Sequence, residues 1–185
     1  MASFLLSLKQ TNAKMKKAIF LSVLFLIALS CNTSKKAVAQ DGKTSKAQIL
    51  TACPENVDCT LEVFQNKSMV VKTDGIGGVY YELEDDAEKT VYLYTYKLKT
   101  DKQYQDAGYR EEIIFETDSA TADFALTDKD LQNTKILFGV WCYCKGKAGN
   151  YKVTKGNFSK KGKEVSINFP AIVDDQKVTA LKIKI

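Results

Sequence analysis

The run TVYLYTYKLKT, residues 90–100, places Val91, Leu93 and Thr95 on one side and Tyr92, Tyr94 and Tyr96 on the other. Alternation with period two marks a strand with two unlike faces, because successive side chains of an extended chain point in opposite directions. The pattern recurs outward from this run. Upstream it predicts strands over 59–65, 68–73 and 79–84; downstream, over 109–117, 122–126, 136–144, 151–159, 164–169 and 177–185. The connections are short and rich in turn residues, among them Asn66-Lys67, Gly75-Ile76-Gly77-Gly78, 85–88 and 160–163, so neighbouring strands should be antiparallel. One helical turn is expected over 128–133, with Asp128 as its cap. The fold class expected is all-β, an antiparallel barrel or a two-sheet sandwich of about 8 to 10 strands. Residues 136–144 (ILFGVWCYC) are apolar on both faces and should form a central strand.

The N-terminal part follows different rules. Lys16 and Lys17 precede the apolar run AIFLSVLFLIALS, residues 18–30, which leads directly to Cys31. A charged segment followed by a short apolar one is an export signal. Its 13 residues would span roughly 20 Å as a helix, short of the ~30 Å hydrocarbon core of a bilayer. The small and apolar residues Ala28, Leu29 and Ser30 before Cys31 resemble the lipobox of bacterial lipoproteins, although Ala28 stands where that motif usually has Leu. The resemblance implies a lipid on Cys31. Cleavage after Ala37-Val38-Ala39 is the rival, disfavoured by Lys35 and Lys36 ahead of it. Met15 is a better start than Met1, because it sets the two lysines directly before the apolar run. The organisation expected is a signal peptide over 1–30 (with 1–14 outside the translated chain if Met15 initiates), a flexible lipid-linked tether over 31–47, and one β domain over 48–185. The tether, polar and without periodicity, has almost nothing to bury.

Removing residues 1–30 leaves 23 basic against 22 acidic side chains, a balance that gives no general attraction to nucleic acid. It hides an asymmetry: residues 55–130 hold 8 basic and 18 acidic side chains, and residues 135–185 hold 11 and 3. Interleaving of the two segments as neighbouring strands would pair these charges and help fix register. A bipolar surface that recognises a charged partner is the alternative.

With Cys31 lipidated, Cys53, Cys59, Cys142 and Cys144 remain, an even set that reads as disulfides in an oxidising compartment. Three pairings are open. A direct Cys142–Cys144 bridge would leave one residue between the half-cystines, so bridges from these two to Cys53 and Cys59, fastening the start of the domain to its central strand, are favoured. Cys-x-Cys spacing is a poor match to structural zinc sites. On a strand, Cys142 and Cys144 would share a face and could serve as a redox pair, with Lys145 and Lys147 nearby to favour thiolate.

The sequence contains no histidine, which excludes His-based triads and His metal sites. The acidic cluster Glu82, Glu84, Asp85, Asp86 and Glu88 matches no calcium loop and reads as a solvated hairpin tip. The glycines of 75–78 lack the Lys-Ser/Thr and helix of a phosphate loop. No catalytic residue, metal or cofactor is expected. Tyr92, Tyr94 and Tyr96 form a candidate ligand face, since a row of rings with hydroxyl tips can hold a sugar or a peptide; a cross-strand ladder at the rim of the core is the competing reading.

CPENVDCTLEV, residues 53–63, and LFGVWCYCKG, residues 137–146, resemble paired signatures of small bacterial lipoproteins of uncharacterised function. That resemblance treats the four cysteines as one unit and implies no activity. The function expected is that of a membrane-anchored envelope lipoprotein, at the outer membrane or the periplasmic face, acting as a non-catalytic binding or structural module with a protein or glycan partner. The alternative is a thiol-disulfide protein using Cys142 and Cys144.

Overall fold

The computed structural model describes residues 47–100, 108–120 and 122–185. The signal segment, Cys31 and the tether as far as Lys46 lie outside the described residues. The longest alternating stretches give the longest strands: β2 (Val57–Thr73) and β3 (Val79–Leu98) form one hairpin, in register from Val57↔Leu98 to Thr73↔Val79. Each merges two strands expected separately. Asn66, expected in a connection, is instead a bulge at φ 58°, where the register shifts between Gln65 and Lys67; asparagine tolerates this left-handed conformation better than most residues. The acidic cluster 82–88 accordingly lies within β3, and the hairpin tip is the 74–78 turn. There Asp74 Oδ1 accepts the N–H groups of Ile76 and Gly78 at 2.9 and 2.7 Å.

The remaining elements are β1 (Gln48–Ile49), β4 (Arg110–Asp118), β5 (Phe124–Thr127), a 3-10 helix (Asp128–Thr134), β6 (Leu137–Trp141), β7 (Gly149–Lys152), β8 (Asn157–Lys161), β9 (Glu164–Asn168) and β10 (Ala180–Lys184). All pairings are antiparallel. One sheet runs β1-β10-β9-β8-β5 and the other β2-β3-β4-β6-β7. In the second sheet, Val79 at the start of β3 also pairs with Asn150 of β7, so β3, β4, β6 and β7 close into a ring. The all-β expectation therefore holds, with sheet packed on sheet and a small closed ring inside one of them. β6 lies between β4 and β7, as the two-faced apolarity of its sequence requires.

The strand expected over 151–159 is divided. At Gly156 (φ 122°) the chain turns from β7 to β8 and so passes between sheets, and a Cβ there would collide with the Asn168 carbonyl oxygen. Glycine is the residue that fits. Asp128 does not cap the helical turn: Thr127 holds that position, while Asp128 Oδ1 accepts the Gly156 N–H at 3.0 Å.

Two cores result. The larger one lies between the sheets, where Tyr92, Ile113, Phe115 and Phe138 meet Phe158, Ile167, Leu181 and Ile183. Phe115 lies against Tyr92 (ring centroids 5.3 Å apart) and edge-on to Phe158 (5.1 Å). The smaller core fills the opposite side of the second sheet, where Met69, Val91, Ile114 and Leu137 are covered by the outer half of the hairpin. The bulge lets the hairpin bend over this side. The bend is fastened by Glu116, a buried carboxylate that accepts the Met69 N–H at 2.6 Å and pairs with Lys135 at 2.9 Å.

The charge segments interleave at two seams, since β4 of the acidic segment pairs with β6 of the basic one and β5 with β8. At neither seam do opposite charges stand in register, so the interleaving does not pair them as expected. The pairs Lys67–Asp85, Lys72–Glu82, Lys89–Asp118, Lys99–Asp58 and Arg110–Glu112 fall inside the acidic segment, whereas Lys135–Glu116 joins the two.

Candidate binding site at the Trp141 end of the second sheet

The tyrosine face is corrected by the packing. Tyr92 and Tyr94 are buried in the core between the sheets, and Tyr96 is half-buried against it. The face that alternation isolates is the one that meets the other sheet, so the row is no open platform. Burial pushes the phenols of Tyr92 and Tyr94 above their ordinary range.

The four cysteines pair within segments rather than between them, Cys53 with Cys59 and Cys142 with Cys144. The expected staple between the start of the domain and the central strand does not form. Two strands, β3 and β4, separate β2 from β6, so the two segments lie roughly 14 Å apart at ~4.8 Å per strand. A bridge needs Cα atoms within about 7 Å. β6 also ends at Trp141, which leaves Cys142 and Cys144 in the loop beyond it, and not on a strand as expected. Their bridge closes that loop around Tyr143, which is 94% exposed. The loop is braced further on by Tyr151, whose hydroxyl donates to the Lys147 carbonyl at 2.8 Å.

Beside this loop, register builds a row of side chains that the sequence pattern did not single out. Lys97 of β3 stands opposite Arg110 of β4, and Arg110 stands opposite Trp141 of β6. The Arg110 guanidinium carbon sits 5.5 Å from the centre of the Trp141 ring, a cation–π contact. Glu112, two residues along β4, holds both. Its Oε2 accepts the indole N–H at 2.6 Å and its Oε1 lies 2.9 Å from Arg110 Nε, a charge contact that is not aligned as a hydrogen bond. Gly139 lies between them, and a Cβ there would press on Asn150 Oδ1 and the indole nitrogen. Tyr81 approaches from the hairpin arm; burial and the Glu112 carboxylate raise its phenol.

A shallow cleft of about 360 Å³ opens here, with Lys97, Tyr109, Arg110, Trp141, Cys142 and Tyr143 on its walls. On the other face of β4, Glu111 is fully buried. It accepts the N–H groups of Lys177 and Val178, each at 2.7 Å, and the Tyr109 hydroxyl. Burial and this carboxylate push the Tyr109 phenol far up, so it remains a donor and fixes one wall of the cleft. A smaller cleft of about 200 Å³, floored by Phe124 and Leu126, lies where β5 meets the 3-10 helix. Among the described residues, no group of three or more Cys, Asp or Glu side chains gathers into a metal site. No helix among them is long and apolar enough to cross a membrane.

The row is suited to holding a ligand by stacking and charge. Of its members, Cys142 was legible in the sequence through its spacing to Cys144. Lys97, Arg110 and Glu112 are charged residues like many others, and the register alone assembles them. Comparison with protein-family models, with characterised proteins and with solved structures finds no match to this chain.

Proposed function

We propose that this chain is a lipid-anchored module of the bacterial cell envelope, non-catalytic, that binds its partner through the Trp141 end of the second sheet. The anchoring rests on the sequence, namely Lys16, Lys17, the apolar run and Cys31. The observation that carries the binding is Tyr143, an aromatic residue 94% exposed on a loop closed by its two neighbours. Exposing a large ring costs solvation free energy unless it meets something, and holding it in a closed loop reduces the entropy lost when it does.

Intact mass spectrometry of the protein extracted from membranes tests the anchor. A chain starting at Cys31 and carrying a diacyl or triacyl mass is expected, and Cys31→Ser should leave the membrane fraction. An unmodified Cys31 would sink the anchor.

A thiol-disulfide role is the second reading, favoured by the pairing of Cys142 with Cys144 on an accessible loop rather than with Cys53 and Cys59. It predicts that mild dithiothreitol opens this bridge before the other one, with both thiols then alkylating quickly. Equal resistance of the two bridges would remove it.

A further inference from the structure

We infer that the cleft between Lys97, Arg110, Trp141 and Tyr143 takes an acidic sugar chain, one bearing carboxylates such as uronic acid units; this deepens the binding role proposed above and rests on it. Three observations converge. Among the described residues, the walls carry two cations and no carboxylate. Glu112 engages one edge of the Arg110 fork through Nε, and among the described residues no partner holds its Nη nitrogens. Lys97 has no carboxylate partner among the described residues either, since Asp58, opposite it on β2, turns to Lys99 at 3.6 Å. Lys97, and the Nη edge of Arg110 that the Glu112 pair leaves open, can take an anion there.

The second observation is aromatic. Trp141 is 36% exposed and Tyr143 94%, and both rings border the same cleft. Flat rings with a polar edge suit the C–H faces of a pyranose.

The third excludes a peptide added as a further strand, and titration with pentaglutamate separates a sugar from other acidic peptides. A peptide that adds to a sheet as a further strand takes main-chain hydrogen bonds from a free strand edge. At this cleft there is none, because β4 is paired with β3 and β6, and β6 with β4 and β7. Recognition must come from side chains.

The sequence has one tryptophan, and it is Trp141, so intrinsic tryptophan emission reports on this site alone. The detergent-solubilised full chain, with its bridges intact, would be titrated with trigalacturonic acid, with the same trisaccharide after reduction of its carboxyls, and with pentaglutamate. A saturable change in emission with trigalacturonic acid alone is expected, weakened by added salt. Arg110→Gln should weaken it roughly tenfold or more, the value of one charge-assisted contact. Tyr143→Ser, on a fully exposed side chain, should weaken it about tenfold through lost stacking. Unchanged thermal midpoints would show both variants folded, and Lys97→Gln provides a third substitution away from the Glu112 contacts. An equal response to the neutral trisaccharide, a response to pentaglutamate in its place, or no response at millimolar acid sugar with the fold intact overturns the assignment. The lipid on Cys31 is read by mass, so failure here and failure of the anchored reading are separate results.

Discussion

Glu111 shows how much one side chain can carry in this fold. It is fully buried, yet its two oxygens take the N–H groups of Lys177 and Val178 and the Tyr109 hydroxyl. These contacts fasten the chain ahead of β10 to the second sheet. Replacing it by Leu keeps the volume and orphans two backbone donors, each costing about 1–3 kcal/mol. Glu111→Leu should therefore lower stability by about 3 kcal/mol, read as a shift in the urea midpoint with an unchanged slope. The tyrosines give a second prediction at this scale. Tyr92, Tyr94 and Tyr109 all have phenols raised above the ordinary 10.0, chiefly by burial. In the unfolded chain they ionise near the ordinary value, and in the folded one only above it. The stability linked to their protonation is thus complete below pH 10.0 and declines as pH rises from there toward the folded values. Ultraviolet titration should show these three phenols ionising late, together with alkaline unfolding. Early ionisation of all nine tyrosines without loss of structure would contradict the burial.

At the scale of elements, the β2–β3 hairpin decides the shape of the second sheet. A flat ribbon of this length would leave Val91, Leu93, Ile114 and Leu137 exposed on the face away from the other sheet. The bulge at Asn66 bends the ribbon over them, and the closing pair Val79↔Asn150 completes the ring. A β-branched residue at φ 58° pays the steric penalty of the left-handed region, about 1–2 kcal/mol. Asn66→Val should lower the thermal midpoint accordingly, whereas Asn66→Gly should stay within a few tenths of a kcal/mol of the parent. Equal behaviour of the two variants would mean that the bulge is not under conformational control.

For the whole molecule, the pairing of the cysteines determines what holds the domain together. Bridges from Cys53 and Cys59 to the central strand would have closed loops of more than 80 residues, worth about 4 to 5 kcal/mol each by loop entropy. The observed bridges span 6 and 2 positions, and the larger is worth about 2 kcal/mol on the same scale. The packing between the sheets, centred on Phe115, Phe138 and Phe158, must supply most of the stability. The doubly substituted Cys53→Ser, Cys59→Ser protein should fold and lose about 2 kcal/mol in chemical denaturation. Collapse of the fold would show that the bridge does more than restrict the unfolded chain.

The all-β class, the run of most strands and the central place of β6 were legible along the chain, because period-two alternation and two-faced apolarity are local consequences of extended backbone. The sequence singled out Cys142 and Cys144 by their spacing but pointed to bridges with Cys53 and Cys59, which the structure replaces by pairing within each segment. Alternation says that a face is buried and never against what. Tyr92 and Tyr94 read equally well as a platform or as core until the other sheet covers them, and a bulge looks like a turn until both arms find partners. Charges and thiols meet according to the lateral order of strands, β2-β3-β4-β6-β7, which spacing along the chain does not encode. That order kept Cys59 from Cys142, brought Lys97, Arg110 and Trp141 into one row, and so placed the candidate site where no motif pointed.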